Sequence, residues 1–308
     1  MNALSTSGRG TPARLGLYYG LGAYAAWGLL PVYFKLLGSV GAGEVVAQRV
    51  VWSVVFIAIL IALRGSFPVL RAALANRRAV ALLAVSALLI AVNWLVYIWA
   101  VMQGHVLAAS LGYFLNPLVN VALGMIFLRE RLGRVQGVAV LLAGIGVLVL
   151  ATQATEGLWI SLVLAVSFSL YGLVRKIVPV ESLEGLAIET LILAPFALGW
   201  LVWIGRQGTL AFGHDLGFSL LLAAAGVFTA VPLLLFAAAA RRMPYVELGL
   251  LQYLAPMLQF LLAVLVYGET MTTAHLICFG FIWTALAVYA GGNIAELRRV
   301  RALERAAV

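Results

Sequence analysis

Two segments of the chain, 139 residues apart, carry the same pattern of apolar residues around a central proline. The first reads SLGYFLNPLVNVALGMIFLRE at residues 110–130, and the second reads GLLQYLAPMLQFLLAVLVYGE at residues 249–269. Aligned without gaps, Pro117 matches Pro256. Each proline lies near the middle of an apolar run of about 20 residues, which is long enough to cross a bilayer at about 1.5 Å per residue. The pattern therefore predicts two equivalent halves, each with an interrupted membrane helix.

The composition favours a membrane protein over a soluble domain. Of the 308 residues, 64% are hydrophobic and 10% are charged, whereas soluble domains have about 45–50% and about 25%. Apolar runs of about 17–25 residues predict ten transmembrane helices in an all-α polytopic bundle. The predicted helices are 15–37, 44–63, 79–102, 106–128, 135–151, 157–178, 185–204, 215–240, 245–267 and 274–292.

Five predicted helices separate equivalent positions in the two copies of the pattern. Because each helix crosses the membrane once, an odd number of crossings inserts the second half upside down. We therefore expect two inverted five-helix repeats, at 15–151 and 157–292, with a polar N-terminal tail at 1–14 and a basic C-terminal tail at 293–308. Inverted repeats with interrupted helices are typical of secondary transporters, which bind solute near the middle of the membrane.

The positive charge predicts the orientation of the chain. With the N-terminus placed in the cytoplasm, 17 of the 20 Lys and Arg residues fall in inner segments and Arg206 alone falls in an outer loop. This asymmetry follows the positive-inside rule, so both termini are predicted to be cytoplasmic. It also accounts for the net charge of +9 without a nucleic-acid partner. The basic segment 64–78 is predicted to form an amphipathic helix on the cytoplasmic leaflet.

No enzyme, metal or nucleotide motif occurs in the sequence. The three histidines lie far apart, in or beside loops, and the single cysteine, Cys278, lies in the last predicted helix. The sequence therefore predicts no metal site, no disulfide, no cofactor and no catalytic residue. The expected partners are membrane lipid and a small-molecule substrate, and whether the protein is a monomer or a homodimer stays open.

Polar side chains on several predicted helices predict a central cavity, because lipid offers them no hydrogen bonds. Tyr113, Asn116 and Asn120 lie on one face of the fourth helix, and Gln252 and Gln259 take the positions equivalent to Tyr113 and Asn120 on the ninth. The predicted cavity lies among helices 1, 3, 4, 6, 8 and 9. The other predicted substrate-binding residues are Trp27, Asn93, Tyr97 and Tyr171. Alternatively, these side chains hold helices together, at about 0.6 kcal/mol each.

Four prolines are predicted to bend the helices around this cavity. They are Pro31, Pro117, Pro232 and Pro256. Each removes a backbone donor and leaves the carbonyl one turn earlier without its helical partner. The kinks are either static, or hinges with carbonyls exposed in the binding site.

Six charged residues within or beside the predicted helices suggest two gates. They are Lys35, Glu44 and Arg49 near the outer side, and Arg175, Lys176 and Glu189 near the inner side. We expect Glu44 to pair with one of the outer cations and Glu189 with one of the inner cations. Arg49 and Glu189 do not pair in this prediction, because their depths differ by about 15 Å. In the alternative, the charges reach towards the lipid headgroups. Proton coupling through Glu189 is disfavoured by the neighbouring cations.

Seven short motifs extend over nearly the whole chain. They are WGLLPVYFK at Trp27–Lys35, RVVWS at Arg49–Ser53, NW at Asn93–Trp94, SLGYFLNPLVN at Ser110–Asn120, YGLVRK at Tyr171–Lys176, QYLAP at Gln252–Pro256 and YGE at Tyr267–Glu269. With these motifs the chain resembles the RarD branch of the EamA family, in the drug/metabolite transporter superfamily. The resemblance implies a ten-helix inner-membrane permease with two EamA repeats, and it supplies no substrate. Arg129 departs from the glycine that many relatives carry before the glutamate.

The sequence and the resemblance together predict a secondary transporter. It would move a small organic metabolite or drug-like solute by alternating access around the central cavity. A membrane-embedded sensor or enzyme that uses the same fold without transport is the alternative.

Overall fold

A computed structural model describes residues 10–38, 40–103, 105–152, 157–268 and 272–306. Within these ranges the regular structure is entirely helical. The helices are α1 (Gly10–Leu36), α2 (Ala42–Arg64), α3 (Phe67–Ala75), α4 (Arg77–Met102), α5 (Val106–Phe127), α6 (Arg134–Ala151), α7 (Leu158–Ile177), α8 (Ser182–Arg206), α9 (Leu216–Ala240), α10 (Tyr245–Leu251), α11 (Leu254–Leu261), a π-helical segment (Leu262–Val266) and α12 (Thr273–Ala306).

The structure contains nine segments, within the ranges it describes, that are long and apolar enough to cross a membrane. They correspond to the second to tenth predicted helices, and α10, α11 and the π-helical segment together form the ninth. Helix α1 is 27 residues long but is not among the nine, because its glycines and tyrosines lower its mean hydropathy. The chain is therefore a multi-pass membrane protein, and its tenth crossing stays a prediction.

The most extensive contacts between helices join the first half of the chain to the second. Helix α2 packs on α8 and α9, α4 on α7 and α8, α5 on α7 and α10, α1 on α9 and α11, and α6 on α12. In the register of the repeat, α1 corresponds to α7, α4 to α9, and α5 to α10 and α11. The α1–α9 contact therefore has α4–α7 as its counterpart, and α5–α7 has α1–α11. The two halves interdigitate, so the centre of the bundle is formed by both.

Glycines allow helices of opposite halves to approach closely. A Cβ atom on Gly226 of α9 would collide with the backbone of Trp52 on α2. On Gly249 of α10, a Cβ atom would lie 3.0 Å from the carbonyl oxygen of Pro117 on α5. Small residues serve this purpose at membrane helix interfaces, where close packing replaces the hydrophobic effect as the driving force.

The two equivalent proline-containing helices differ. Helix α5 continues through Pro117 without a break. In the second half, the helix is interrupted at Gln252 and Tyr253, and α11 restarts with Pro256 in its first turn. Proline is tolerated there because a first-turn N–H has no partner within the helix. The interruption expected in both halves is therefore present in the second half only.

The ends of the chain also differ from the prediction. Helix α12 continues from Thr273 to Ala306, so most of the segment predicted as a C-terminal tail extends the last helix. Helix α1 begins at Gly10, inside the predicted N-terminal tail, and residues 1–9 lie outside the described residues. Glu269, which ends the second copy of the repeat, also lies outside them.

Candidate solute-binding site

A small cavity lies at the centre of the bundle, between helices of both halves. It is lined by α2, α4, α7, α8 and α9, and its apolar wall consists of Val50, Ile90, Trp94, Leu186, Leu193 and Leu233. Its polar wall consists of Ser53, Tyr171, Glu189, Thr190 and Thr229. The volume of about 10 Å³ has room for about one water molecule. This cavity is therefore too small for an organic solute unless the helices around it separate.

This cavity differs from the predicted one in the helices that form it. The prediction left out the second and seventh predicted helices, and the structure places α2 and α8 in the cavity wall. Of the predicted substrate-binding residues, Tyr171 lines the cavity. The others lie outside its lining; they are Trp27, Asn93, Tyr97, Tyr113, Asn116, Asn120, Gln252 and Gln259.

Two of the predicted amides belong to a buried hydrogen-bond network between α5, α7 and α10. Asn120 Nδ2 donates to Gln252 Oε1 at 2.6 Å. The hydroxyl of Tyr245 lies 2.8 Å from Asn120 Oδ1 and 2.6 Å from the carbonyl oxygen of Ser169, and it donates its single proton to one of them at a time. All three side chains are buried. Because these groups satisfy one another, the network favours the helix-packing interpretation of Asn120 and Gln252.

Two further asparagines contrast with each other. Asn93 Nδ2 donates to the carbonyl oxygen of Leu164 at 2.9 Å and to Ser167 Oγ at 3.0 Å, so it fastens α4 to α7. Asn116 is 1% exposed, and neither end of its amide has a hydrogen-bond partner among the described residues. An unsatisfied buried polar group costs about 1–3 kcal/mol. We therefore expect Asn116 to find a partner in another conformation.

The prolines of α1 and α9 lie inside continuous helices. Pro31 has no N–H group, so the carbonyl of Trp27 lacks its helical donor. Gln259 of α11 donates to that carbonyl oxygen through Nε2 at 3.1 Å. The carbonyl oxygen that Pro31 leaves free in α1 therefore accepts a hydrogen bond from the second half of the molecule. Pro232 of α9 is buried.

An aromatic cluster fills the space between α1, α7 and α9. The ring of Trp27 lies 5.6–5.8 Å from the rings of Tyr24, Phe168 and Phe236, measured between centroids. Tyr171 stacks on Phe236 at 6.0 Å. These distances are typical of packed aromatic side chains, and they join Trp27 to the wall of the cavity through Tyr171.

One end of the cavity is bordered by the Arg175 cluster, which consists of Ser86, Tyr171, Arg175, Ser182 and Glu189. Arg175 Nη1 lies 3.5 Å from Glu189 Oε1, and both side chains are buried. Arg175 Nη2 donates to the carbonyl oxygen of Ser182 at 3.0 Å, and Ser86 Oγ donates to Glu189 Oε1. The Glu189–Arg175 pairing is one of the two expected for this glutamate. Glu189 Oε2 and the hydroxyl of Tyr171 have no partner among the described residues.

Two more ion pairs include residues that are adjacent in sequence to members of this cluster. In the Glu130 latch, the carboxylate of Glu130 accepts from the first two backbone N–H groups of α10, at 2.8 Å each, and lies 3.8 Å from Lys176 Nζ. Lys176 Nζ also donates to two carbonyl oxygens at the end of α9, at 3.0 and 2.7 Å. Arg241 and Glu181 form the other pair, at 2.8 Å. Three cations near this end, Arg175, Lys176 and Arg241, are therefore paired with carboxylates.

The other end of the bundle carries the Arg49 cluster, which consists of Phe34, Arg49, Trp94, Thr229 and three tyrosines. Arg49 is half-buried, and its Nε donates to Thr229 Oγ1 at 2.7 Å. Its guanidinium carbon lies 4.9 Å from the ring centroid of Trp94 and 5.7 Å from that of Phe34. The tyrosines that interact electrostatically with it are Tyr33, Tyr97 and Tyr113. No acidic side chain pairs with Arg49 among the residues whose side chains are described.

The ion pairs expected at this end are not formed by the described residues. Glu44 is buried and accepts from the backbone N–H groups of Ala211 and Phe212 at 2.9–3.0 Å. Lys35 Nζ lies 3.7 Å from the ring centroid of Tyr267. The prediction that Glu44 pairs with an outer cation is therefore wrong. Its carboxylate instead satisfies the N–H groups of the loop between α8 and α9, a partner that hydropathy does not reveal.

The sequence reasoning missed several groups that the structure places in or beside the cavity. Ser53, Ser86 and Thr190 are single hydroxyls in apolar helices, and all three are buried. Ser53 Oγ donates to the carbonyl oxygen of Gly226 at 3.1 Å, beside the close approach of α2 and α9. Single hydroxyls carry little sequence signal, because they also bond to carbonyls of their own helix.

A model of the EamA-like transporter family matches residues 14–152 and, a second time, residues 155–290. The chain belongs to the EamA-like transporter family. The two matches lie one after the other and together cover nearly all of the chain. The RarD motifs identified in the sequence extend over both.

Curated relatives agree with this membership. An uncharacterized transporter of Pseudomonas aeruginosa is 48% identical over 289 residues, which cover 93% of this chain and 97% of the relative. Protein RarD of Streptomyces exfoliatus is 48% identical over 296 residues, 96% of this chain and 94% of the relative. Protein RarD of Escherichia coli K12 is 46% identical over 287 residues, 93% and 97% of the two chains. The resemblance to the RarD branch is confirmed.

A solved crystal structure shares the fold. It superposes with a TM-score of 0.70 and covers 91% of this chain and 97% of its own. Its sequence is 21% identical, so the likeness concerns the fold alone.

Proposed function

We propose that this EamA-family protein is a secondary transporter that moves a small organic solute across the bacterial inner membrane by alternating access. The observation that carries the proposal is the small cavity within the bundle, with a wall supplied by both halves. Two polar atoms of its lining residues, Glu189 Oε2 and the Tyr171 hydroxyl, lack partners among the described residues. Buried polar groups are normally satisfied, so a changing partner such as solute or water fits this arrangement.

The packing of the helices supports two inverted repeats. The α1–α9 and α4–α7 contacts are equivalent under the repeat, as are α5–α7 and α1–α11. An approximate twofold axis in the plane of the membrane relates such pairs in inverted-repeat transporters, which operate by movement of one half against the other. With α1 counted as a crossing, ten helices and two cytoplasmic termini follow, in agreement with the distribution of Lys and Arg.

The ion pairs support a conformation closed towards the cytoplasm. In the predicted orientation, the Arg175 cluster and the Glu130 latch lie on the cytoplasmic side. Together they tie the ends of α5, α7, α8 and α9 to the start of α10. The opposite side lacks such ion pairs among the described residues, and its Arg49 is half-buried. Opening towards the cytoplasm then requires the Arg175–Glu189 and Glu130–Lys176 contacts to break, and we expect this step to alternate with separation of the helices around Arg49.

The orientation is tested with single cysteines in a variant in which Cys278 is replaced by Ala. The variants are Arg71→Cys, in the 64–78 segment, and Arg206→Cys, in the 205–214 loop. Each is treated in intact cells with a maleimide that cannot cross the membrane. We expect Arg206→Cys to react from outside and Arg71→Cys to react only after the cells are opened. Reaction of Arg206→Cys only in opened cells would contradict the orientation and the inverted repeats.

Transport itself is tested with the purified protein in liposomes, against a panel of labelled metabolites and empty liposomes. We expect at least one solute to enter chemically unchanged and to exchange with unlabelled solute inside. A solute that emerges modified would favour the enzyme alternative. Saturable binding without flux for any bound solute would favour a sensor, and either result would contradict the proposal.

A further inference from the structure

Arg49 lacks the counter-charge that a cation inside a membrane protein normally has. It lies seven residues after the start of α2, within a segment long enough to span the bilayer. Charged side chains at such positions usually pair with one another or mark the path of an ion or substrate. Glu44, the acidic residue expected to pair with an outer cation, is engaged with the backbone of Ala211 and Phe212. The positive charge of Arg49 is therefore not neutralised by any side chain in the described part of the chain.

The guanidinium of Arg49 is nevertheless held in one orientation. Thr229 donates its hydroxyl proton to the carbonyl oxygen of Ala225 at 2.7 Å, which leaves a lone pair to accept from Arg49 Nε at 2.7 Å. This contact leaves the two terminal nitrogens, Nη1 and Nη2, without a hydrogen bond to any described residue. Two parallel N–H groups in this fixed geometry match the two oxygens of a carboxylate.

Aromatic side chains surround the two terminal nitrogens of Arg49, and two nearby tyrosine hydroxyls have no hydrogen-bond partner among the described residues. Trp94 and Phe34 face the guanidinium, and Trp94 also lines the central cavity. The rings of Tyr97 and Tyr113 meet edge to face at 5.6 Å. Neither hydroxyl has a hydrogen bond to a described residue, and both tyrosines lie near enough to Arg49 to be influenced by its charge. An anionic group with an apolar body would thus find a cation, two hydroxyl donors and aromatic walls within one cluster.

We propose that the Arg49 cluster binds the carboxylate of a singly charged, amphipathic organic anion, and that this anion is the class of solute transported. This inference rests on the proposed transport function for its second part only. A single charge is favoured because Arg49 is the one cation named in the cluster, whereas Lys35 lies over Tyr267. The apolar body of the anion then faces Trp94 and the cavity beyond it.

Among the described residues, the Arg175 cluster and the Glu130 latch offer no comparable site. The guanidinium of Arg175 is occupied by Glu189 and by the carbonyl oxygen of Ser182, and Lys176 is occupied by Glu130 and two carbonyl oxygens. These cations already have acceptors, so an incoming anion would have to displace them. Recognition of the anion is therefore assigned to the Arg49 end.

Binding is tested on the purified protein with matched probes. The probes are 3-phenylpropionate, 4-phenylbutyrate and indole-3-acetate, with the neutral amide of each, and phenyl phosphate as a second kind of anion. We expect at least one carboxylate to bind at least tenfold more tightly than its amide, measured by calorimetry, and more tightly than phenyl phosphate. Failure of every carboxylate to bind, or binding of the amides with equal affinity, would overturn the proposal. Tighter binding of phenyl phosphate would replace the carboxylate by a phosphate ester.

Substitutions of Arg49 test whether this residue causes the preference for the carboxylate over the amide. Arg49→Gln is expected to reduce the carboxylate preference to less than threefold, and Arg49→Lys to restore part of it. Arg206→Gln removes the same charge from the exposed end of α8 and is expected to leave the preference unchanged. An unchanged preference in Arg49→Gln would place the anion elsewhere. If that variant does not fold, Tyr113→Phe, which removes one unused hydroxyl, must still weaken carboxylate binding at least threefold without affecting the amide.

Flux in liposomes separates this proposal from the transport proposal. Binding of a carboxylate at Arg49 without flux would leave the site in place and contradict transport. Flux of a neutral amide, with no binding or flux of the carboxylate, would leave transport in place and contradict the anion site.

Discussion

The two ends of the bundle hold their cations in different ways. At the Arg175 end, the guanidinium is 1% exposed and lies against Glu189, with further acceptors from Ser182. At the Arg49 end, the guanidinium is half-buried, and its neighbours are a threonine hydroxyl and aromatic rings. The first arrangement is an ion pair that stabilises helix packing. The second is a cation that can still bind an anionic ligand. The same residue type in a membrane helix thus supports two roles, and the presence of a carboxylate distinguishes them.

This difference has an energetic consequence. Loss of one partner from a buried ion pair leaves an uncompensated charge and costs about 3–5 kcal/mol. A cation without a carboxylate partner leaves no such charge behind when it is removed. Stability measurements at the two ends therefore test the comparison directly.

The largest effect is expected for Arg175→Met. Glu189 would then be buried without its cation, and the free energy of unfolding should fall by about 3–5 kcal/mol. Thermal or denaturant unfolding in detergent measures the change. The double variant Arg175→Met/Glu189→Gln removes both charges and should recover a large part of the loss. No recovery in the double variant would show that packing, and not charge, explains the effect.

An intermediate effect is expected for Glu130→Gln. The amide retains one acceptor oxygen for the N-terminus of α10 and loses the charge that faces Lys176. Hydrogen bonds to charged groups contribute about 1.5–3 kcal/mol, so we expect a loss of about 2 kcal/mol in the same unfolding assay. Glu181→Gln is the matched control, because its pair with Arg241 is more exposed; exposed pairs contribute about 0–1 kcal/mol. Equal losses in the two variants would contradict the role of the latch.

A smaller effect on stability is expected for Arg49→Gln. The variant loses one hydrogen bond from the charged guanidinium to Thr229, which corresponds to about 1.5 kcal/mol. The same variant should lose most of its preference for the carboxylate over the amide, although its stability changes little. A loss of stability as large as that of Arg175→Met would mean that Arg49 has an acidic partner after all, and the contrast between the two ends would fail.

The smallest effect is expected for Asn116→Leu. Its amide has no partner among the described residues, so an apolar side chain of similar size removes the cost of burying it and should raise the free energy of unfolding by about 1 kcal/mol. Gln252→Leu is the control, because it would leave the buried Asn120 amide without its partner, at a cost of about 1–3 kcal/mol. Abolished flux in a stable Asn116→Leu protein would indicate that the amide finds its partner during transport. Unchanged flux would remove Asn116 from the site.

The helices could be predicted from the sequence more fully than the site. Apolar run length located nine spanning segments, because lipid forces every buried backbone group into a helix. The contact between Arg175 and Glu189 could also be anticipated, since both residues were expected at the same depth. The depth of a residue, however, does not determine which way its helix faces. The cavity therefore includes α2 and α8, which the polar pattern had not indicated.

The misassigned partners have a common physical cause. Glu44 binds backbone N–H groups of a loop, and Gln259 binds a carbonyl that Pro31 leaves free. Backbone donors and acceptors are present at every position, so the sequence does not reveal which of them lack partners. Asn120 and Gln252 lie on the two polar faces that suggested a shared cavity. They are not equivalent positions of the repeat, and they form a hydrogen bond with each other instead.

The break at Gln252 and Tyr253 has a further consequence for the transport cycle. If two inverted halves were identical, the outward-open and inward-open states would be related by symmetry and would have equal free energies. Helix α5 is continuous and its counterpart is broken, so the exchange of roles between the halves is not energetically neutral. A difference of about 1.4 kcal/mol between the two states is a tenfold difference in their populations. In the proposed alternating-access cycle, the position of this helix break would therefore make the empty protein favour one side of the membrane.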